Sequence, residues 1–425
     1  MVVAMEQELI LQAREERMKL IASYTKNHQC VVVIKANIPG EFKNNKEAYT
    51  LLRLFEQECR KHFEISSYKL IHSADGPYAI IVTPEQANMK QQLIEIETHH
   101  PLGRMIDLDY YTNDEKSVSR LDLGLPPRKC YLCDKEASLC IREKTHSDKR
   151  IFAYIQTQVY AYIQDILEKM VLTSIKTELD LEDKFGLVSP KSQGSHDDMN
   201  YVMMLRSAKA LLFSFTQMFW IGFDGVNLDQ VYEQGKKQGI IAERAMYDVT
   251  NDVNTYKGLI FILGMMLLSC GYAMSHEQTI DQIFDNIKFM GRHVFREPVY
   301  NTFGEKAYRE YNMGGAKAEA EQGYPIVRKC YEQLLQGPLS PEALHMALID
   351  IIRSTDDTVL LKRAGSLEEY HRIKALISNI TTYDEQVIRK VTEECIRGHI
   401  SCGGAADILI TAVFLTFFSR QFLSN

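Results

Sequence analysis

The sequence predicts an α+β amino-terminal domain followed by a larger all-α domain. Three observations carry this. The first 127 residues hold six of the eleven prolines and every stretch that reads convincingly as β-strand. From Arg128 to Phe185 neither glycine nor proline occurs. Beyond that point the chain reads as helices with apolar patterning, separated by glycine-bearing loops. A chain of 425 residues is also too long for one ordinary core.

In chain order, Glu6–Ser23 reads as a charged helix with Leu9, Ala13, Met18 and Ile21 near helical spacing. Within it AREER (Ala13–Arg17) reads as a solvated face, or as two arginines able to reach a phosphate. CVVVIKANIPG (Cys30–Gly40) is a β-branched run closed by Pro-Gly, hence a buried strand and a turn. Glu47–His62 has helical periodicity. A second strand, Tyr78–Val82, follows Ala-Asp-Gly-Pro and is ended by Pro84. Gln86–Glu97 reads as a helix, and Met105–Tyr111 alternates as a strand does. Ile155, Val159, Ile163, Ile166 and Met170 then mark a long amphipathic helix. The boundary therefore falls in REKTHSDKR (Arg142–Arg150), giving domains 1–147 and 148–425. Ser340-Pro341-Glu342 is a helix start: a capping residue, proline at the first helical position, then an acid.

Composition narrows the function classes. A net charge of -7 and a pI near 6.0 argue against a nucleic-acid binder. The first twenty residues lack an apolar core with a cleavage site, so no secretory signal is expected. Nine cysteines, an odd number scattered over the chain, read as reduced thiols of a cytoplasmic protein. Three apolar runs, Ala210–Phe223, Leu259–Met274 and Ala405–Phe418, are shorter than the ~20 residues of a spanning helix. They read as buried helices, and no membrane partner is expected.

The most legible chemistry lies in Ile94–His146. Asp107 and Asp109 alternate on a strand, so both carboxylates share a face. That arrangement suits Mg²⁺ held against a nucleotide phosphate, although Asp-x-Asp also occurs as a plain solvated strand end. Arg104 offers a bidentate fork for phosphate, and His99 or His100 a general base. Cys130, Cys133, Cys140 and His146, spaced C-x2-C-x6-C-x5-H, are four soft ligands suited to a structural Zn²⁺, or a cluster of reduced thiols.

Five segments punctuate the second half: Lys184–Asn200, Thr250–Gly258, Gly314–Pro325, Ser354–Gly365 and Ser401–Ile410. Gly403-Gly404 and Gly314-Gly315 precede helices and can aim backbone N–H groups at an anion. His196, Asp197 and Asp198 form a compact acid/base or metal cluster. Lys257, Lys317 and Arg363 can neutralise phosphates. Each segment taken singly also reads as an ordinary helix cap or loop.

The stretch EIETHHPLGRMIDLDYY, followed by SRLDLGLPPRKCYLCDKEASLCIREKTH, closely resembles the apo-citrate lyase phosphoribosyl-dephospho-CoA transferase family. AREER and ANIPGEFKN stand in that family's order, and the likeness covers about residues 6–147. It implies a nucleotidyltransferase-like domain in which a serine of the citrate lyase acyl carrier (gamma) subunit attacks an α-phosphate and pyrophosphate leaves. His100, Gly103, Arg104, Asp107 and Asp109 match its motif.

As an ordered set, the five later segments resemble triphosphoribosyl-dephospho-CoA synthase, an all-helical family, over residues 180–418. The implied reaction joins ATP to 3′-dephospho-CoA and releases adenine. On that resemblance His196, Asp198 (or Asp197) and Glu319 are expected in metal or acid/base work. Lys184, Lys257, Lys317 and Arg363 are expected on the triphosphate, with Gly194, Asn254, Gly315, Asp357, Gly403 and Gly404 as further substrate contacts. Phe185 (where the family's pattern has proline), Tyr256 (histidine), Ala318 and Ala364 (glycine) and Val359 (asparagine) depart from that pattern. Together the resemblances imply a bifunctional enzyme of citrate lyase prosthetic-group synthesis and attachment, using Mg²⁺. The alternative is an active transferase joined to a helical scaffold that binds dephospho-CoA or the carrier protein.

Overall fold

A computed structural model describes residues 2–25, 29–39, 42–86, 88–112, 124, 126–294 and 303–423, excepting the side chains of 2–7 and 305. By contact the chain divides into two units, Met1–Asp165 with Arg420–Asn425, and Ile166–Ser419.

The first unit is built on a four-stranded antiparallel sheet. Its elements are α1 (Val2–Thr25), β1 (Cys30–Ala36), α2 (Lys46–His62), β2 (Ser67–Ile71), β3 (Tyr78–Thr83), α3 (Met89–His99), β4 (Ile106–Tyr111) and α4 (Ala137–Arg142). The start of α5 (Asp148–Leu179) completes it. Strand order is β2-β3-β1-β4. The apolar runs Cys30–Ile34 of β1 and Tyr78–Val82 of β3 place these strands in the middle, where both faces are covered. Ile21 of α1 closes one face against Val31, Val33, Tyr78, Ile80 and Val82. Val32 and Ile34, pointing the opposite way, are fully buried where α2 meets β1. Asn45 fixes the start of α2 by accepting the Ala48 N–H at 2.8 Å.

Several expectations are corrected here. Strand β2 was not foreseen, because SYKLI is a half-exposed edge without clear alternation. Leu9 and Met18 are exposed, and the sheet-facing positions of α1 are Ala13, Arg17 and Ile21, four residues apart. Arg14, Glu15 and Glu16 are exposed, as a solvated face requires, but Arg14 and half-buried Arg17 also donate to the buried carboxylate of Asp75. The turn at Gly40 and Glu41 lies outside the described residues, as does most of 113–125.

Helix α5 begins two residues inside the charged segment's end and buries Ile155, Val159, Ile163, Leu167, Val171, Ile175 and Leu179, an i, i+4 stripe. Ile166 and Met170 lie beside that stripe rather than in it. The division between units falls within this helix, so Arg142–Arg150 is the connection from α4 to α5 inside the first unit.

The second unit is helical in all its described elements. After α5 come α6 (Tyr201–Asp224), α7 (Leu228–Thr250), α8 (Lys257–Ser275), α9 (Ile280–Val294), α10 (Phe303–Tyr311) and α11 (Gly315–Gln322). Then follow α12 (Pro325–Leu334), α13 (Pro341–Ser354), α14 (Thr358–Ala364), α15 (Leu367–Ser378), α16 (Glu385–Arg397) and α17 (Gly403–Phe422). Ser340 caps α13 as its sequence foretells, accepting the Ala343 N–H at 3.2 Å. Helices α8 and α17 are long and apolar enough to cross a membrane by length and composition, yet 78% of each apolar window is buried in protein. All nine cysteines are free thiols.

Candidate functional site

Strand β4 alternates, burying Ile106, Leu108 and Tyr110 and turning Asp107 and Asp109 to the α1 side of the sheet. Asp107 pairs with Arg128, whose other nitrogen reaches Glu97 at 2.6 Å. Glu97 also accepts the Leu108 N–H at 2.8 Å, and buried Lys90 donates to the Leu108 carbonyl at 2.8 Å, which fixes the strand edge. Asp109 accepts no hydrogen bond from any described residue. Burial, and next the Asp107 charge, push its carboxyl above the usual carboxylate range. Two oxygen-donor carboxylates on one face, one of them with no hydrogen-bond partner among the described residues, fit a hard divalent cation.

The PLG turn leading into β4 is fixed by contacts, which redefines the roles of its residues. A side chain at Gly103 would fall 2.3 Å from the Glu97 carbonyl, so glycine is required there. His100 accepts the Leu102 N–H on Nδ1 (3.1 Å) and donates from Nε2 to the Tyr162 hydroxyl (2.9 Å), with Phe55 edge-on. Both ring nitrogens are thus occupied, and His100 pins the turn where a general base was expected. His99 donates to its own helix at Glu95. Arg104 stacks over Tyr131 and donates to the Lys129 carbonyl at 2.6 Å, while its Nη1 has no partner among the described residues. Arg104 and Arg128 line a cleft of about 460 Å³ with Tyr131 and Gln158.

The ligand atoms of Cys130, Cys133, Cys140 and His146 all lie within 4.8 Å of one another, with the Cys133 and Cys140 sulfurs at 4.0 Å. A Lys129–Glu136 bridge and the Cys130 N–H bonded to the Lys135 carbonyl fold the first pair into a tight knuckle. Buried His146 Nε2 has no partner among the described residues. Tetrahedral zinc with sulfurs ~2.3 Å away spaces them close to this separation, so the donor set fits the ion.

In the second unit, two adjoining cavities of about 490 and 330 Å³ share Gly258, Thr358, Val359 and Asp407. Of the expected residues, His196, Asp198, Asn254, Lys257, Arg363 and Gly403 line the larger. Gly315, Glu319, Asp357 and Gly404 line the smaller. Arg363 donates to His196 Nδ1 (2.8 Å) and to the Ser195 carbonyl (3.2 Å). Nε2 therefore carries the proton and donates to Ser401 at 3.0 Å. Burial, then the Arg363 charge, lower His196 to about 4, so the ring is neutral and orients the guanidinium. Burial raises Glu319 to about 7, although its carboxylate accepts the Ile326 N–H at 2.6 Å.

Other expectations do not hold geometrically. Lys184 is buried and spends its ammonium on the Glu178 side chain and carbonyl, both at 2.6 Å, so it does not reach a triphosphate. Lys317 lines a separate cavity with Lys236 and Glu243. Lys257 keeps its place on the larger cavity while pairing with Glu243 at 2.7 Å, and Asn254 beside it caps the Lys257 N–H at 3.1 Å. Gly194 is a turn residue at φ 61°, and Asp197 is exposed beyond both cavities. The anion at the start of α17 is the protein's own: Asp357 accepts the Ala405 N–H (3.2 Å) as well as those of Val359 (2.8 Å) and Leu360 (3.0 Å). Asp357 thereby ties α14 to α17, and the Gly404 amide, turned to Asp357, is not left open for phosphate.

Two acids were missed. Asp407 lines both cavities and accepts no side-chain hydrogen bond from a described residue. Burial, then Asp357 and Glu178, push its carboxyl well up. Its signal was a lone acid in an apolar helix, which burial makes costly without a use. Glu178, at the end of α5, lines the larger cavity. Among the departures, Phe185 sits at φ 55° and donates its N–H to Thr392, two features proline cannot supply. Tyr256 is buried with no hydroxyl partner among the described residues, and Val359 fills the wall between the cavities.

Comparison with known proteins gives two adjacent family matches. Residues 5–162 match apo-citrate lyase phosphoribosyl-dephospho-CoA transferase, and residues 165–424 match ATP:dephospho-CoA triphosphoribosyl transferase. The chain is 30% identical to Protein CitXG of Leuconostoc mesenteroides subsp. cremoris and 29% identical to Protein CitXG of Haemophilus influenzae, each over 96% of both chains. It is 29% identical to 2-(5″-triphosphoribosyl)-3′-dephosphocoenzyme-A synthase of Haemophilus ducreyi, over 67% of this chain and 98% of that protein.

Proposed function

Because the chain belongs to the fused family in which an apo-citrate lyase phosphoribosyl-dephospho-CoA transferase precedes an ATP:dephospho-CoA triphosphoribosyl transferase, we propose that each of its two units carries one of these reactions. It is a bifunctional transferase of citrate lyase prosthetic-group synthesis and attachment. The observation that supports the assignment is that each unit has its own acid-lined site, Asp107 with Asp109 in the first and Asp407 with Glu319 in the second.

In the second unit a dephospho-CoA ribose hydroxyl bonds to C1′ of the ATP ribose, and the bond from C1′ to adenine breaks. The transition state gathers positive charge at C1′, which draws Asp407 into its ionised form and is stabilised by it. Glu319, holding a proton near neutrality, supplies it to the departing adenine. Arg363, oriented by His196, binds phosphate.

In the first unit the sheet serves nucleotidyl transfer. The hydroxyl of a serine on the citrate lyase acyl carrier protein bonds to the α-phosphorus, and the bond to pyrophosphate breaks. Asp107 and Asp109 would hold Mg²⁺, which when bound neutralises phosphate charge. Arg104 lines the cleft, and its buried Nη1 has no partner among the described residues. With ATP, dephospho-CoA and Mg²⁺ alone, adenine is expected to appear without pyrophosphate. Adding apo-carrier protein should release pyrophosphate in step with carrier modification. Pyrophosphate without carrier, or adenine absent throughout, would remove the assignment.

Cys130, Cys133, Cys140 and His146 would hold a structural zinc, which when bound ties this stretch of chain together. The free thiols suit a reducing, cytoplasmic setting. Protein purified without chelator is expected to contain one zinc per chain by mass spectrometry, and Cys133→Ser to lose it together with several degrees of melting temperature. A metal-free wild type of unchanged stability would leave the cluster as packed thiols.

A further inference from the structure

One carboxylate on the α1 side of the sheet is surrounded by four cations. Asp75, in the connection from β2 to β3, is wholly buried. It accepts from Arg14 Nη2 (3.2 Å) and Nε (3.3 Å), Arg17 Nη1 (3.2 Å), Lys43 Nζ (2.8 Å) and Lys35 Nζ. The cations come from distant stretches: AREER on α1, strand β1, and ANIPGEFKN after it. A side chain at Gly76 would meet Lys43 Cβ at 2.9 Å, and Gly76 adopts φ 91°, so glycine lets the lysine close on Asp75.

A structural ion pair needs one cation, whereas four cations on one carboxylate leave three positive charges uncompensated within the cluster. Such repulsion is relieved by an arriving anion, and guanidinium and ammonium groups together suit phosphate. The cluster also sits beside the acid pair. Lys35 stands directly opposite Asp107 in the β1–β4 register, and Val33 opposite Asp109, so Lys35 and both acids share a face. Tyr111, next along that face, feels both the Asp109 carboxylate and the Arg17 guanidinium.

We propose that Arg14, Arg17, Lys35 and Lys43 grip the β- and γ-phosphates of the triphosphoribosyl substrate and hold pyrophosphate as it leaves. This rests on the transferase reading of the first unit. The serine oxygen bonds to the α-phosphorus at the acid pair and gives up its proton to solvent, and the electron pair of the broken P–O bond passes to a pyrophosphate already ringed by cations. Asp75 is a positioning residue that keeps the four side chains converged before substrate arrives. The substrate also carries the diphosphate of its dephospho-CoA part, the other possible source of the same chemistry.

The test uses the full chain and supplied triphosphoribosyl-dephospho-CoA, with inorganic pyrophosphate and dephospho-CoA as competing inhibitors of transfer. In Arg14→Gln and Lys43→Gln the inhibition constant for pyrophosphate is expected to rise about tenfold or more, from loss of one charge-assisted contact. Lys43→Arg should restore it, and the constant for dephospho-CoA should stay fixed. An unchanged pyrophosphate constant in both glutamine variants overturns the proposal, even where transfer itself slows. A rise for dephospho-CoA instead of pyrophosphate also overturns it, placing the CoA diphosphate in the cluster. Should the wild type transfer nothing, the transferase reading fails by itself. Calorimetric titration of pyrophosphate into the same proteins then still decides the cluster, since binding lost in the glutamine variants supports it and binding unaltered or absent in the wild type removes it.

Discussion

Asp109→Ala is expected to lower transfer of supplied triphosphoribosyl-dephospho-CoA to apo-carrier protein by roughly 10²–10³-fold, the loss that follows removal of one electrostatic stabiliser at a reacting centre. Adenine release from ATP should be unchanged. The expectation rests on the isolation of this carboxylate. Asp107 is engaged by Arg128, but Asp109 accepts no hydrogen bond from a described residue while burial and its neighbour's charge act against ionisation. A group held at that cost without hydrogen-bond partners contributes little to stability, so its removal should not unfold the sheet. The measurement is pyrophosphate release from supplied intermediate alongside the thermal melt. Full transfer activity in a folded Asp109→Ala protein would end the assignment of the acid pair.

The second large effect is expected at Asp407. Asp407→Asn keeps the shape of the side chain and removes its charge. Adenine release should fall roughly 10²–10⁴-fold, the range for loss of a positioned acid/base group, with transfer of supplied intermediate intact. Stability should move the opposite way. The Asp407 carboxyl is pushed well up by burial and by Asp357 and Glu178, so its neutral form is favoured on folding. The folded pKa lies above the unfolded one, and the group's contribution, present at low pH, is lost as pH rises towards that folded value. Asparagine escapes this loss, and the variant should melt higher than wild type at pH 8. A folded, more stable protein that no longer releases adenine separates catalysis from structure. Retained adenine release would favour synthesis without Asp407, and a wild type that releases none would favour the scaffold reading of the helical unit.

Patterning alone located the central strands, because Cys30–Ile34 of β1 and Tyr78–Val82 of β3 are apolar runs covered on both faces, and it located β4, whose strict alternation reports one buried side. The edge strand β2 escaped because a half-exposed edge needs no alternation. The helix start at Ser340 was readable for the same reason that it is stable: donor and acceptor lie three residues apart. In α5 the direction of the apolar stripe emerged from the first three positions and was misjudged at Ile166 and Met170, where neighbouring apolar residues of almost equal hydropathy compete for one face.

Site chemistry followed the same division. The sequence by itself determined the two-part architecture, the family, the shared face of Asp107 and Asp109 and the spacing of a four-ligand cysteine–histidine cluster. All of these are written in local order along the chain. Only the tertiary structure decided what each charged group is used for. Lys184 turns inward to Glu178, Asp357 occupies the helix start that Gly403 and Gly404 offered to phosphate, and His196 serves Arg363. Arg14, Lys35 and Lys43 meet at Asp75 from three separate stretches of chain. Charge partners are chosen by distance in space and by the cost of burying a group unpaired, and neither is expressed in sequence separation.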